Sequence, residues 1–246
     1  MYLVSQSYPL LDRGGQIPEE KATAVFPPGY MRFLQRFGAG TYRGWINVYW
    51  PDAEALKPFV EYDLWEHDED SPITQQQIGE LIAIGSSVDG DFLAVHPPTG
   101  QVLWLPRHGD QLQRLSLDVS EPEDDEAYAR SLDEIFRVVY GNVQEDEVYY
   151  EPRSDTRNHL FLRLPPDQDR LTLPQLAGLC REAFPPDLVI ENQYGCKLFN
   201  RRLGGYIRFN YANRQEVAII YEKDAGQLLA DIKQWLLSQG CVQFGQ

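Results

Sequence analysis

The chain has 246 residues with a formal net charge of −15, and 43% of them are apolar, which is ordinary for a globular protein with a substantial core. Its longest apolar run, residues 217–221, is far shorter than the roughly 20 residues of a membrane-spanning helix. The first residues lack the basic and apolar regions of a secretory signal. We therefore expect a cytoplasmic, non-secreted protein that does not enter a membrane.

The charge is divided unevenly along the chain. Residues 1–147 hold 26 Asp and Glu against 10 Lys and Arg, a net charge of −16, whereas residues 148–246 hold 11 against 12, a net charge of +1. An acidic surface disfavours nucleic acid and anionic lipid as partners, and it accelerates encounter with a basic protein. The alternative interpretation is that the acidity serves solubility alone.

A change in composition accompanies this change in charge. Residues 141–158 are mostly polar and follow a predicted helix, which is typical of a connection between domains. The pattern predicts two domains, residues 1–145 and residues 150–246.

The first domain opens with a short helix and a strand. Within residues 27–40, Tyr30, Phe33, Leu34 and Phe37 have the spacing of one helical face, and Gly38 is placed to end the helix. Residues 42–50 are aromatic and β-branched, which favours a strand.

The rest of the first domain is predicted as a meander followed by a helix. Residues 80–118 alternate apolar runs with turn residues, as antiparallel strands do. Ser131 and Glu134 have the spacing of a capping box that would begin a helix, which Gly141 would end. The fold class expected is α+β, an antiparallel sheet flanked by helices.

The second domain is predicted as a smaller α+β domain of order β-α-β-β-β-α. Thr172 is placed to cap its first helix and Asp224 to cap its second.

No motif in the sequence predicts catalysis, a metal or another cofactor. The four histidines, His67, His96, His108 and His159, lack the spacings that direct two ligands at one zinc ion. The odd count of three cysteines, without a CxxC pair, favours buried, reduced thiols over a disulfide framework. The acidic pair at residues 89–91 flanks Gly90, which is typical of a tight turn. A hydrolase remains an alternative that would need two convergent carboxylates in a pocket.

An acidic cluster beside a tryptophan is the most suggestive surface element. We predict a docking patch for Lys and Arg of a partner, formed by Tyr42, Tyr49, Trp50, Trp65, Glu66, Asp68, Glu69, Asp70 and Asp110. Trp65 is the expected anchor, since tryptophan and tyrosine are enriched at binding hot spots. The alternative is a solvated loop, with the tyrosines and tryptophans in the core.

A second cluster is basic. Arg201 and Arg202 lie in a predicted hairpin, with Lys197, Arg208 and Arg214 nearby in sequence. These residues predict either an anion-binding patch or an ordinary mixed surface.

Residues 27–141 resemble the SUKH superfamily, which includes the yeast Smi/Knr cell-wall regulator and many bacterial immunity proteins. The resemblance is carried by PPGYMRFLQRFGAG, by TYRG before a strand, by IAIGSSVDGDFLAVHPPTGQVLWLPRHGD and by the helix SLDEIFRVVYG, in that order. The irregular residues 1–26 depart from the family pattern, in which a helix usually comes first, and residues 150–246 match no family that we recognise.

The resemblance implies a role without catalysis. Bacterial members are similar to antidotes that bind and block toxins, often nucleases, so the expected partner is a basic protein. The alternative implied by the same resemblance is a regulatory or scaffold protein of Smi/Knr type, whose C-terminal domain mediates assembly or ligand binding.

Overall fold

The chain forms two compact units. The computed structural model describes residues 1–5, 25–116, 126–141, 148–166 and 171–244. The N-terminal unit comprises Ser7–Glu145 and Tyr150–Arg153, and the C-terminal unit comprises Met1–Gln6, Asp146–Tyr149 and Ser154–Gln246. The first residues of the chain thus group with the C-terminal unit, although the sequence suggested that they belong to the first domain.

Both units combine helices with antiparallel sheets, which confirms the α+β class. In chain order up to the middle of the protein, the elements are β1 (Tyr2–Leu3), α1 (Tyr30–Phe37), β2 (Gly40–Tyr42), β3 (Ile46–Asp52), β4 (Ile82–Ser87), β5 (Phe92–His96), β6 (Gln101–Leu105), β7 (Gln113–Leu115), α2 (Ala127–Tyr140) and β8 (Tyr149–Pro152). Two 3-10 helices, Lys57–Glu61 and Gln76–Glu80, lie between β3 and β4.

The sheet of the N-terminal unit has the strand order β8-β2-β3-β4-β5-β6-β7, and all neighbours are antiparallel. The meander predicted over residues 80–118 is therefore confirmed in its described part. The turn between β4 and β5 contains Gly90, whose φ of 95° lies in the region that glycine tolerates best. Asp91 is bound within this turn, since its Oδ2 accepts from Ser87 Oγ at 2.6 Å and its Oδ1 accepts from the Arg107 amide at 2.8 Å.

The predicted apolar face of α1 is the face that it buries. Tyr30, Phe33, Leu34 and Phe37 are all buried, and Gly38, with a φ of 71°, ends the helix as predicted. The Phe33 ring packs edge-on against Tyr150 with ring centres 5.0 Å apart, so aromatic contacts fix the helix on the sheet.

The start of α2 corrects the prediction of a capping box. The helix begins at Ala127 rather than after Ser131, and the Ser131 hydroxyl donates to the carbonyl of Ala127 at 3.2 Å inside the helix. The physical reason is burial, because Ala127, Tyr128 and Ala129 pack into the core and extend the helix towards its N-terminus. Gly141 ends the helix in the left-handed conformation, as predicted.

A half-buried ion pair fastens the β2–β3 hairpin to α2. Arg43 and Gly44 both have positive φ at the turn, a conformation that is uncommon for arginine. The Arg43 guanidinium meets the Asp133 carboxylate, with Nε 3.0 Å from Oδ1, and only 9% of the arginine side chain is exposed. The Tyr42 hydroxyl donates to the same carboxylate at 2.9 Å. Asp133 therefore satisfies two donors at once.

The C-terminal unit contains β9 (Arg157–Arg163), α3 (Leu173–Ala183), β10 (Leu188–Asn192), β11 (Gly195–Asn200), β12 (Gly205–Asn210), β13 (Glu216–Glu222), α4 (Gly226–Ser238) and β14 (Val242–Gln243). Four strands lie between the two helices where three were expected, and β14 follows the second helix. The sheet order is β10-β11-β12-β13-β9-β14, with antiparallel neighbours throughout.

The helices of this unit differ in how they begin. Thr172 and Gln175 form a capping box at the start of α3, which confirms the predicted cap. The predicted cap Asp224 is wrong, because the buried Ala225 occupies the N-cap of α4 and no side chain bonds the first amide groups there.

Both helices cover one face of the sheet, and their core includes all three cysteines. On the other face, Val4 and Tyr149 pack on Phe199, Tyr206 and Ile220.

Among the described residues, no helix is both long and apolar enough to cross a bilayer.

We predict that Asp133→Ala destabilises the N-terminal unit by about 1–3 kcal/mol, because it leaves Arg43 and the Tyr42 hydroxyl without their acceptor. Urea unfolding followed by tryptophan fluorescence measures the loss, since four of the five tryptophans lie in this unit: Trp45, Trp50, Trp65 and Trp104. The matched control is Glu134→Ala, which breaks an exposed ion pair to Arg137 and should leave the midpoint nearly unchanged. Equal losses in the two variants would contradict the assignment.

Candidate partner-binding surface

Two of the predicted contact residues are buried. Tyr42 is completely covered, and burial raises the pKa of its hydroxyl, which stays protonated and donates to Asp133. Trp65 lies in an apolar core with Ile73 and Leu112, and its Nε1 donates to the carbonyl of Pro106 at 2.8 Å. Burial therefore corrects the expected role of Trp65 as an anchor that reaches a partner.

Tyr49 and Trp50 are half-buried. The Tyr49 hydroxyl donates to the carbonyl of Gly85 at 3.0 Å, and burial raises its pKa to about 12. Tyr49 therefore ties β3 to β4, and most of its contacts are internal.

The acidic residues, in contrast, are all at the surface. We define the acidic loop as residues 61–70, which run from the end of the first 3-10 helix to the turn before Ser71. Its carboxylates are exposed, and they belong to Glu61, Asp63, Glu66, Asp68, Glu69 and Asp70. The Glu66 amide donates to the carbonyl of Asp110 at 2.7 Å, which places the equally exposed Asp110 beside the loop. The structure thus brings together all five predicted acids.

Hydrogen bonds give the acidic loop a defined course. The Gln75 side-chain amide donates to the carbonyls of Val60 at 2.9 Å and Tyr62 at 2.7 Å. Further along, Asp68 Oδ1 accepts from the Asp70 amide, and His67 Nδ1 lies 2.8 Å from the carbonyl of Ile73. A loop ordered in this way loses less conformational entropy when a partner binds.

The structure adds two residues that the sequence prediction missed. Tyr62 is 56% exposed and Leu64 is 48% exposed, and they alternate in sequence with Glu61, Asp63 and Trp65. No local signal could have found them, because EYDLWE gives Tyr62 and Leu64 the same apolar character as the buried Trp65. Tyr62 and Leu64, rather than Trp65, are the exposed apolar side chains of the acidic loop.

The negative charge of the acidic loop is not neutralised by ion pairs within the described part of the chain. Salt bridges there use other acids of the N-terminal unit, such as Asp133 with Arg43 and Glu54 with Lys57. His67 and Lys57 are the basic side chains closest in sequence, and Arg107 and His108 are exposed on the loop that also contains Asp110. The surface therefore keeps a net negative potential.

Two of the histidines that were weighed for metal binding, His67 and His96, have hydrogen-bond partners within the protein. Among the described residues, no group of three or more His, Cys, Asp or Glu side chains is arranged to hold a metal ion. His96 bonds through Nδ1 to Thr99 at 2.9 Å and lies 3.5 Å from Glu80. In the C-terminal unit, the buried Glu222 accepts from Ser154 and Thr156, at 2.8 and 2.7 Å.

The three thiols are buried and unactivated. Burial raises the pKa of Cys180 to about 12 and the pKa values of Cys196 and Cys241 to about 11. A nucleophilic cysteine needs a lowered pKa and access to solvent, so these thiols serve as core residues.

The basic residues of the C-terminal unit are dispersed and partly engaged. Arg208 pairs with Glu216 at 2.6 Å, and the Lys197 ammonium lies over the rings of Tyr149 and Tyr206. Arg201 lies in the turn that joins β11 to β12, whereas Arg214 lies in the turn that joins β12 to β13, at the opposite end of those strands. This arrangement favours an ordinary mixed surface over one anion-binding site.

Comparison of the chain with protein-family models, curated proteins and solved structures gives no match. The resemblance to the SUKH superfamily therefore remains a prediction from the sequence.

We predict that Gln75→Ala loosens the acidic loop without changing its charge, because it removes the donor that holds the Val60 and Tyr62 carbonyls. Amide hydrogen exchange in residues 61–66 should become faster. Gln76→Ala, at an exposed neighbouring position, should leave the exchange unchanged. Unaltered exchange in Gln75→Ala would show that this amide does not hold the loop.

The native thiols should react with Ellman's reagent at least about tenfold more slowly than those of the unfolded chain, because the thiolate is both scarce and covered. The measurement compares native protein with protein in guanidinium chloride at the same pH. Fast reaction of any thiol in the native protein would contradict its burial.

Proposed function

We propose that the protein is a non-enzymatic binding protein of the immunity type, which uses its acidic loop to neutralise a basic protein partner such as a toxin nuclease. The observation that carries the proposal is the exposure of seven neighbouring carboxylates that have no ion-pair partner among the described residues: Glu61, Asp63, Glu66, Asp68, Glu69, Asp70 and Asp110.

The chemistry of a nuclease cleft supports this choice of partner. Such clefts neutralise phosphates with Lys and Arg, so they attract any surface that presents negative charges at short spacing. Opposite potentials raise the association rate between proteins, and this contribution falls as salt is added. The acidic loop would occupy the cleft in place of nucleic acid.

Charge complementarity raises the association rate more than it lowers the dissociation rate. Tyr62 and Leu64 supply the apolar contacts that lower the dissociation rate. Exposed apolar side chains that become covered in a complex slow its dissociation, and a tyrosine does so with few rotatable bonds. The carboxylates of the acidic loop therefore raise the association rate, and its exposed apolar side chains lower the dissociation rate.

The division of charge between the two halves of the chain also supports the proposal. Residues 1–147 carry a net charge of −16 and residues 148–246 carry a net charge of +1. Electrostatic attraction of a basic partner is therefore specific to residues 1–147. Acidity that served solubility alone would have no reason to concentrate in one half.

The test uses purified nuclease-toxin domains with a basic cleft from the source organism, with binding measured by biolayer interferometry at several salt concentrations. We expect the triple variant Glu66→Lys, Asp68→Lys, Glu69→Lys to lower the association rate at least about tenfold and to abolish inhibition of the nuclease. The wild-type association rate should fall steeply as salt is added.

The matched control is Asp155→Lys, Glu182→Lys, Asp224→Lys, which makes the same change in net charge at exposed positions of the C-terminal unit. It should retain most of the association rate. The proposal fails if the nuclease does not bind, or if the two triple variants lose association rate equally.

Tyr62→Ala with Leu64→Ala should raise the dissociation rate and leave the association rate nearly unchanged.

A further inference from the structure

The acidic loop borders one end of the sheet in the N-terminal unit. The turn between β2 and β3, the turn between β4 and β5 and the loop between β6 and β7 all lie at this end, because neighbouring strands are antiparallel. We define the turn end as residues 43–45, 88–91 and 106–112. The acidic loop joins it where the Glu66 amide donates to the carbonyl of Asp110 and where Glu66 pairs with Gln111.

Two apolar side chains are exposed beside the turn between β4 and β5. Val88 is 61% exposed in that turn, and Tyr140 is 41% exposed at the last residue of α2. The Val88 amide donates to the carbonyl of Trp45 at 2.8 Å, and the Tyr140 ring packs edge-on against the Trp45 ring with ring centres 6.0 Å apart. Both residues contact Trp45, so they belong to one apolar patch.

Buried aromatic rings support this patch from below. The Tyr140 ring packs on Phe136 with ring centres 4.7 Å apart, and the buried Trp45 packs in turn on Trp104. Burial, and after it the charges of Asp91 and Asp89, raise the pKa of the Tyr140 hydroxyl, which therefore stays protonated. A tyrosine that is already held in place loses little conformational entropy when a partner covers it, and tyrosine is enriched at binding hot spots.

The residues between the apolar patch and the acidic loop are in contact with one another. Asp91 Oδ1 accepts from the Arg107 amide at 2.8 Å, and the Arg107 side chain lies against Gly90. Arg107 belongs to the same loop as Asp110, which contacts Glu66 of the acidic loop. A protein interface of standard size includes about 20–30 residues on each side, which is enough to cover the acidic loop and the patch together.

Charge indicates what kind of partner the turn end fits. Asp89 is exposed in the same turn as Val88 and has no ion-pair partner among the described residues. Arg107 and His108 are the exposed basic side chains of the turn end, and the carboxylates of the adjacent acidic loop outnumber them. A second copy of this chain would bring those carboxylates against their duplicates, whereas a basic protein is attracted to them.

We propose that Val88 and Tyr140 form a second contact for the basic partner that the acidic loop attracts, and that covering them slows dissociation of the complex. This assignment rests on the proposed function, because it takes the acidic loop as the first point of contact. The interface then extends from the acidic loop across the turn end to the end of α2.

Kinetics of binding to a purified nuclease-toxin domain that binds the wild-type chain test this contact. Val88→Lys should raise the dissociation constant at least about tenfold, because an apolar contact is replaced by a positive charge that faces a basic partner. The matched control is Val138→Lys, which makes the same change in charge at an exposed position of α2. Residues two apart on a helix do not share a face, so Val138 points away from Tyr140 and its substitution should leave the constant nearly unchanged.

A second measurement needs no substitution. In hydroxyl-radical footprinting, Tyr140 should be oxidised more slowly in the complex than in the free chain. Tyr194, which is exposed in the C-terminal unit, should react at the same rate in both.

The results separate this contact from the proposed function. If no nuclease domain binds the wild-type chain, the proposed function and the second contact are both wrong. If binding depends on the acidic loop, but Val88→Lys behaves like Val138→Lys or Tyr140 is not protected in the complex, the second contact alone is wrong.

Discussion

Burial of Trp65 is the interaction on which the acidic loop depends. The side chain enters the core of the N-terminal unit in the middle of a segment whose carboxylates repel one another. Burying an aromatic side chain of 150–250 Å² contributes about 4–6 kcal/mol as an upper estimate. Two exposed charges about 7 Å apart repel by only ~0.6 kcal/mol in water, and less in salt. Burial of Trp65 therefore contributes several times more than the repulsion within any one pair of these carboxylates.

Carboxylates of the N-terminal unit have two different roles, since some hold the fold together and others are exposed at the surface. The half-buried Asp133 and the buried Asp91 each satisfy donors from two residues and fix a hairpin or a turn. The acids of the acidic loop face outward and have no ion-pair partner among the described residues, and of their hydrogen bonds the structure shows one local contact, from the Asp70 amide to Asp68. A carboxylate that is already hydrogen-bonded inside the protein adds little to the surface potential, so the exposed acids of the acidic loop contribute more to that potential than Asp133 and Asp91 do.

The sequence by itself determined the elements whose signals are local. The apolar spacing in α1, the turn at Gly90 and the helix cap at Thr172 each follow from neighbouring residues, and each is confirmed. The position of the acidic loop at the surface also followed from its composition, because several charges in a row cannot be buried without partners.

Tertiary structure decided the features that depend on distant residues. The start of α2 lies at Ala127 because the core accepts three more residues there. Trp65 lies inward because distant residues such as Leu103 and Leu112 form an apolar core around it, and the Pro106 carbonyl accepts from its Nε1. Strand β14 has only two residues, too few for a periodic pattern, and it exists because β9 provides an edge to pair with. Burial and strand pairing are set by what packs from elsewhere in the chain, and a local pattern carries no information about that.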